Sequence, residues 1–166
     1  MQQEFDSLHK PAESRVVEIV KQFRFEAAHF LPRVPEGHKC GRMHGHSFRF
    51  EIKLNGEVNP KTGWLMDFGD ITSVVKPLLE KYLDHNLLNE VPGLENPTSE
   101  EVAIWLWKRL KPSIPFLTEI IVHETCNARC IYKGGRRCSR SEWRTRLCNC
   151  IEDCEIARLL RDRIVF

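Results

Sequence analysis

The 166-residue sequence has no run of about 18 apolar residues, so nothing in it reads as a membrane span. Met1 to Lys10 is polar and carries no apolar stretch, so no secretory signal is visible and the cytoplasm is the expected location. No internal repeat is present. The seven cysteines are an odd number, which argues against a closed disulfide framework, and in a reducing compartment they read as thiols, ligands or a nucleophile. Large excess charge is absent too, since 25 Lys and Arg face 23 Asp and Glu for a net of +2. What excess there is belongs to the end of the chain. From Lys133 onward there are nine basic and five acidic residues, while residues 1–132 are slightly acidic. A nucleic-acid partner for the main body is therefore not expected. With 42% hydrophobic and 29% charged residues, the composition is that of a soluble globular domain with one core.

Hydrophobic periodicity predicts the elements. Val16 to His29 alternates as a strand, with Phe23, Phe25, Ala27 and His29 on one face. After a Pro- and Gly-rich loop from Pro32 to Gly41, alternation resumes with His44, His46, Phe48, Phe50, Ile52 and Leu54 on one face. Asn55-Gly56 reads as a turn. A helix follows Asp67, its stripe running from Phe68 to Tyr82, with Pro77 expected to kink or break it. A second helix opens at Thr98, where Glu101 three residues on completes a capping box, and Pro112 stops it. Ile120, Val122 and Glu124 share a face of a third strand, and Cys130 to Tyr132 form a short return strand. The order strand, strand, helix, helix, strand, strand is that of an α+β fold: an antiparallel four-stranded sheet with two helices packed on one face.

Three histidines are placed for a metal. His44 and His46, two apart on one strand, leave the same face, and a hairpin would bring His29 beside them. Each ends an apolar row, so all three should point into a pocket at the edge of the core. Three imidazoles with an open position suit a catalytic zinc site better than a structural one, and no Cys-x-x-Cys pair accompanies them. Cys40 stands among His38, Lys39 and Arg42, a cationic setting that favours thiolate and suits a nucleophile or general base; a free loop thiol or a fourth zinc ligand is the alternative. Asp84-His85, at a helix exit, is either turn punctuation or an acid–base histidine steadied by a carboxylate. Glu124 ends an apolar row and must be paired or bind something; a ligand edge with adjacent N–H donors would suit it.

Phe25-Glu26-Ala27-Ala28-His29 followed by Cys40-Gly41-Arg42-Met43-His44-Gly45-His46 resembles the zinc motif of the 6-pyruvoyltetrahydropterin synthase superfamily. Gly63 to Phe68, Leu83-Asp84-His85-Asn86, Asn96 to Glu100 and Glu124-Thr125-Cys126 resemble its later blocks in order, so the likeness runs from about Val17 to Lys133. The three residues between Cys40 and His44, and the stretch Cys126 to Tyr132, are similar to the branch that forms 6-carboxy-5,6,7,8-tetrahydropterin in the queuosine (7-deazapurine) pathway. The pyruvoyl-forming branch typically has a longer spacer and remains the alternative, as does a non-catalytic, zinc-stabilised pterin-binding oligomer. The resemblance implies a T-fold assembled as a hexamer of two stacked trimers with sites between subunits, and 7,8-dihydroneopterin 3′-triphosphate as substrate. It implies zinc on His29, His44 and His46, Cys40 as the base, His85 backed by Asp84 as proton carrier, and Glu124 as the pterin anchor or a member of the relay. Arg33, Lys39 and Arg42 are candidates for the triphosphate by loop position. The expected organisation is an N-terminal extension over 1–15, a pterin synthase domain over 16–133 and a basic tail over 134–166. That tail resembles nothing known to us; its Cys138, Cys148, Cys150 and Cys154 could hold a second metal, but their spacing fits no standard knuckle.

Overall fold

The computed structural model describes residues 15–135. The expectations placed on residues 1–14 and 136–166, among them a second metal on Cys138, Cys148, Cys150 and Cys154, lie outside the described residues.

Two long strands make the frame. β1 (Val16–His29) and β2 (His44–Glu57) pair antiparallel along their whole length, from Val16 opposite Glu57 to His29 opposite His44. Alternation drives both: Phe25, Ala27 and His29 on β1 and Phe48, Phe50, Ile52 and Leu54 on β2 are buried on one face. Full burial of each large apolar side chain contributes about 1.5–3 kcal/mol, which fixes the register, since a one-residue slip would turn the whole row to water. The Asn55-Gly56 turn expected from sequence is instead strand, because pairing with Val17 and Glu18 continues through it. Gly45 lets the two strands approach closely, since a Cβ there would sit 3.3 Å from the Ala27 carbonyl oxygen.

α1 (Phe68–Leu78) starts at Asp67, whose carboxylate accepts from the Gly69 N–H, and buries Ile71 and Val75. Pro77 lies in its last turn. The chain then widens into a five-residue π-type turn over Leu79–Leu83, the break the proline foreshadowed. β3 (Asn86–Leu87) pairs parallel with Ala27 and Ala28 of β1. α2 (Ser99–Leu110) is capped by the Thr98 hydroxyl, which accepts from the Glu101 N–H. β4 (Leu117–His123) pairs with β2, and β5 (Arg129–Tyr132) with β4.

The sheet order is β3-β1-β2-β4-β5. It has five strands rather than the expected four, and it is mostly rather than wholly antiparallel. The additional strand is two residues long, too short for any periodicity to reveal it. One apolar cluster joins the sheet's inner face to Ile71 and Val75 of α1 and to Val102, Trp105, Leu106 and Leu110 of α2. The α+β arrangement with two helices on one face is as expected. No helix among the described residues is long and apolar enough to cross a membrane.

Candidate metal centre and its surroundings

At the loop end of the β1–β2 hairpin the buried row of each strand ends in histidine. His29, His44, His46 and Glu124 each offer a donor atom, and the four donors lie within 4.8 Å of one another. His29 and His44 face each other directly in the ladder, and their ring centroids are 4.5 Å apart. Phe48, next in the row, meets the rings of His29 and His46 edge to face at 5.6 and 5.5 Å and forms the floor.

Backbone carbonyls orient two of the rings. Nδ1 of His29 lies 2.9 Å from the Pro97 oxygen, and Nδ1 of His44 lies 2.7 Å from the Arg42 oxygen. A carbonyl only accepts, so each Nδ1 carries the proton and each Nε2 presents a lone pair. This is how a metal-binding imidazole is usually held. The position of His29 is fixed further by Asn89, whose amide accepts from Phe30 N–H at 2.9 Å and donates to Phe30 C=O at 2.8 Å.

Nothing among the described residues satisfies the converging lone pairs. Nε2 of His29 and of His46 are buried with no hydrogen-bond partner. Glu124 Oε1 is near, at 3.4 Å from the first and 3.2 Å from the second, but the geometry is not that of a hydrogen bond. Acceptors gathered this closely repel unless a cation stands between them. The Ser99 hydroxyl donates to Glu124 Oε2 at 2.6 Å and so supports its carboxylate form. Burial chiefly, assisted by the other two histidines and opposed by Glu124, lowers His46 below its usual 6.5. The set is thus a carboxylate with three imidazoles, that of His46 biased toward the neutral form by burial, which suits a divalent first-row ion.

The other residues singled out from sequence lie elsewhere. Cys40 sits half-buried in a single 3-10 turn over Lys39–Gly41 and is not among the four converging donors. Its carbonyl accepts from Leu31 N–H, and its N–H donates to His38 Nδ1. Asp84 and His85 stand at the edge of β1. Asp84 Oδ1 accepts from Glu26 N–H, the main cause of its lowered pKa, and His85 N–H donates to Glu26 C=O. His85 Nδ1 is 3.1 Å from Asp84 Oδ1, and the His85 side chain is 78% exposed. Its φ of 58° is the left-handed region, rare for a residue with a side chain and frequent at functional sites. It borders a cleft of about 490 Å³ lined also by Glu26, Ser47, Asn86 and His46, so one of the converging histidines reaches the same cleft. Arg42 and His38 line a separate loop cleft of about 640 Å³, which neither Arg33 nor Lys39 lines. Sequence reasoning missed Ser99 and Asn89, which bind Glu124 and Phe30. The capping box drew attention to Thr98 rather than its neighbour, and an asparagine inside a loop carries no periodic signal.

Comparison with known proteins agrees with this geometry. Residues 18–135 match the family model described as 6-pyruvoyl tetrahydropterin synthase, and the chain belongs to that family. It is 42% identical over 123 residues to the 6-carboxy-5,6,7,8-tetrahydropterin synthase of a Synechocystis strain, covering 71% of this chain and 94% of that protein. It is 32% identical over 133 residues to the protein of that name from Bacillus subtilis, covering 71% and 88%. Among solved structures, the Caenorhabditis elegans 6-pyruvoyl tetrahydropterin synthase superposes with a TM-score of 0.68 at 28% identity, covering 74% of this chain and 98% of that one. These likenesses make the fold a T-fold and the chain a relative of tetrahydropterin synthases.

Proposed function

We propose that the protein is a zinc-dependent carbon–carbon lyase. It converts 7,8-dihydroneopterin 3′-triphosphate, with water, to 6-carboxy-5,6,7,8-tetrahydropterin, acetaldehyde and triphosphate, a step of cytoplasmic queuosine biosynthesis. The observation that carries the reading is the convergence of His29, His44, His46 and Glu124 with unsatisfied Nε2 atoms. The residues fit zinc: three imidazole nitrogens, two with their other nitrogen tied to backbone, and a carboxylate oxygen. Bound there, the ion would supply Lewis acidity for the substrate's side-chain hydroxyls. The three residues between Cys40 and His44 and the 42% identity to the Synechocystis protein favour the carboxy-forming reaction over the pyruvoyl-forming one.

In this reading Cys40 takes a proton from the side-chain carbon. His85, held by Asp84, moves protons to and from the hydroxyls. Glu124 meets the amino and ring N–H edge of the pterin, and Arg33, Lys39 and Arg42 meet the triphosphate. Cys40, Asp84 and His85 are not among the four converging donors, and we expect the complete site to draw on more than one subunit. The sheet supports assembly. Among the described residues the flank of β1 away from β2 is paired only at Ala27 and Ala28 by β3, and β5 ends the other side, so each edge has backbone groups that a neighbouring copy could pair. A hexamer of two trimers is the form we expect. The test is the product formed from dihydroneopterin triphosphate by metal-loaded protein. Acetaldehyde released in step with carboxypterin is the expected result. A pyruvoyl product would reassign the chain to the other branch, and no turnover by an intact, metal-loaded oligomer would remove the enzyme reading.

A further inference from the structure

Glu124 occupies a position that its role as pterin anchor does not explain. Oε1 is 3.4 Å from His29 Nε2 and 3.2 Å from His46 Nε2. Donors bound at 2.0–2.1 Å around a tetrahedral ion are separated by about 3.3 Å, the edge of the tetrahedron. The carboxylate oxygen therefore stands one such edge from two of the three histidine donors, with the His44 donor farther off but within 4.8 Å, and so lies toward the corner that a three-histidine site leaves for substrate or water. Its second oxygen is spoken for by the Ser99 hydroxyl at 2.6 Å, which leaves a single oxygen for the ion.

The tethers of the four donors differ. His29 and His44 are fixed by strand pairing and by hydrogen bonds to backbone carbonyls. Glu124 follows the last residue of β4, outside the ladder, and is held by one hydroxyl. The His29 side chain is 1% exposed, that of His46 22% and that of Glu124 26%, so the carboxylate lies on the solvent side of the cluster together with His46.

We propose, resting on the zinc reading above, that Glu124 is an exchangeable ligand. It closes the metal site through Oε1 when no substrate is present and yields that position to a hydroxyl-bearing ligand. The released carboxylate is then free to take the ligand's N–H edge, so one side chain serves two stations in turn. A resting centre capped in this way keeps out water and adventitious anions, and ligand entry uncovers it only when the replacement oxygen is at hand.

Cobalt(II) is a suitable probe, because its visible absorption reports the number and kind of its ligands. The full-length protein loaded with one cobalt per chain should give a four-coordinate spectrum. Glu124→Gln should change that spectrum and weaken zinc binding at least about tenfold in a chelator competition. Ser99→Ala, which leaves the carboxylate but removes its tether, should do the same more weakly. Added neopterin, an unreactive pterin with a hydroxylated side chain, should shift the wild-type spectrum while the metal stays bound. Wild type and both variants sharing one spectrum and one zinc affinity would overturn the proposal and leave the three-histidine site standing. Wild-type protein that takes up neither metal would overturn the zinc reading and this proposal with it.

Discussion

His29 and His44 are opposed across the last rung of the β1–β2 ladder, and their ring centroids are 4.5 Å apart. The relationship is set by backbone pairing, not by side-chain choice, so removing one ring leaves the other in place. In His44→Ala the strands should still pair while the metal site loses a donor. The protein is expected to fold, keep its oligomeric size and lose most of its zinc. Elemental analysis of the purified variant decides it: full zinc occupancy would exclude His44 as a ligand.

Cys40 lies outside the group of converging donors, so binding and chemistry should separate there. Cys40→Ala is expected to keep its zinc and bind neopterin like wild type. Its turnover should fall by roughly 10²–10⁴-fold, the usual effect of removing a positioned acid or base. Zinc content and turnover measured on one preparation make the check. Loss of zinc would make Cys40 a ligand; unchanged turnover would place the base elsewhere.

How much of this was legible in the sequence follows from which forces are periodic. The rows Phe23 to His29 and His44 to Leu54 are fixed by burial with period two, so the strand faces could be read directly, and with hairpin pairing so could the meeting of the three histidines. Helix starts were legible because Asp67 and Thr98 cap through local hydrogen bonds. Long-range polar contacts were not legible. Asn89 gripping Phe30 across 59 positions and Ser99 reaching Glu124 across 25 leave no pattern in the chain. The same holds for β3, which exists because Asn86 and Leu87 meet the edge of β1 and not for any propensity of two residues. Glu124 was flagged as needing a partner, yet its closeness to His29 and His46 depends on where β4 ends, which alternation alone does not fix.

Burial lowers the pKa of His46 below its usual 6.5, and this gives the metal-free protein a pH dependence. Above 6.5 the ring is neutral in both folded and unfolded chains. As pH falls below 6.5 the unfolded chain takes up a proton more readily than the folded one, so folding loses stability. The melting temperature of chelator-treated protein should therefore fall between pH 7 and 5.5. Bound zinc competes with that proton and adds its own binding energy, so the loaded protein should melt higher throughout. His46→Gln, which cannot titrate, should flatten the metal-free profile. A wild-type profile already flat over this range would contradict the assignment.

The last prediction concerns the boundary of the folded domain. The family match ends at residue 135, and the charge balance turns basic from Lys133 onward. Lys133 is tied in by an ion pair to Glu119 at 2.8 Å. Gly134 adopts a φ of 76° and packs so closely on Trp107 that a Cβ there would clash with the indole. Both residues therefore belong with the domain, and the cut is best placed after Gly135. Every residue given a chemical role precedes that point, and terminal segments not tied into a core are commonly dispensable. Protein truncated after Gly135 is expected to match the full-length chain in zinc per subunit, oligomer size and turnover. The rival view is that Cys138, Cys148, Cys150 and Cys154 bind a second metal. A second equivalent of zinc in full-length protein, missing from the truncated form, would establish that view, and collapse of the oligomer on truncation would show that assembly depends on residues 136–166.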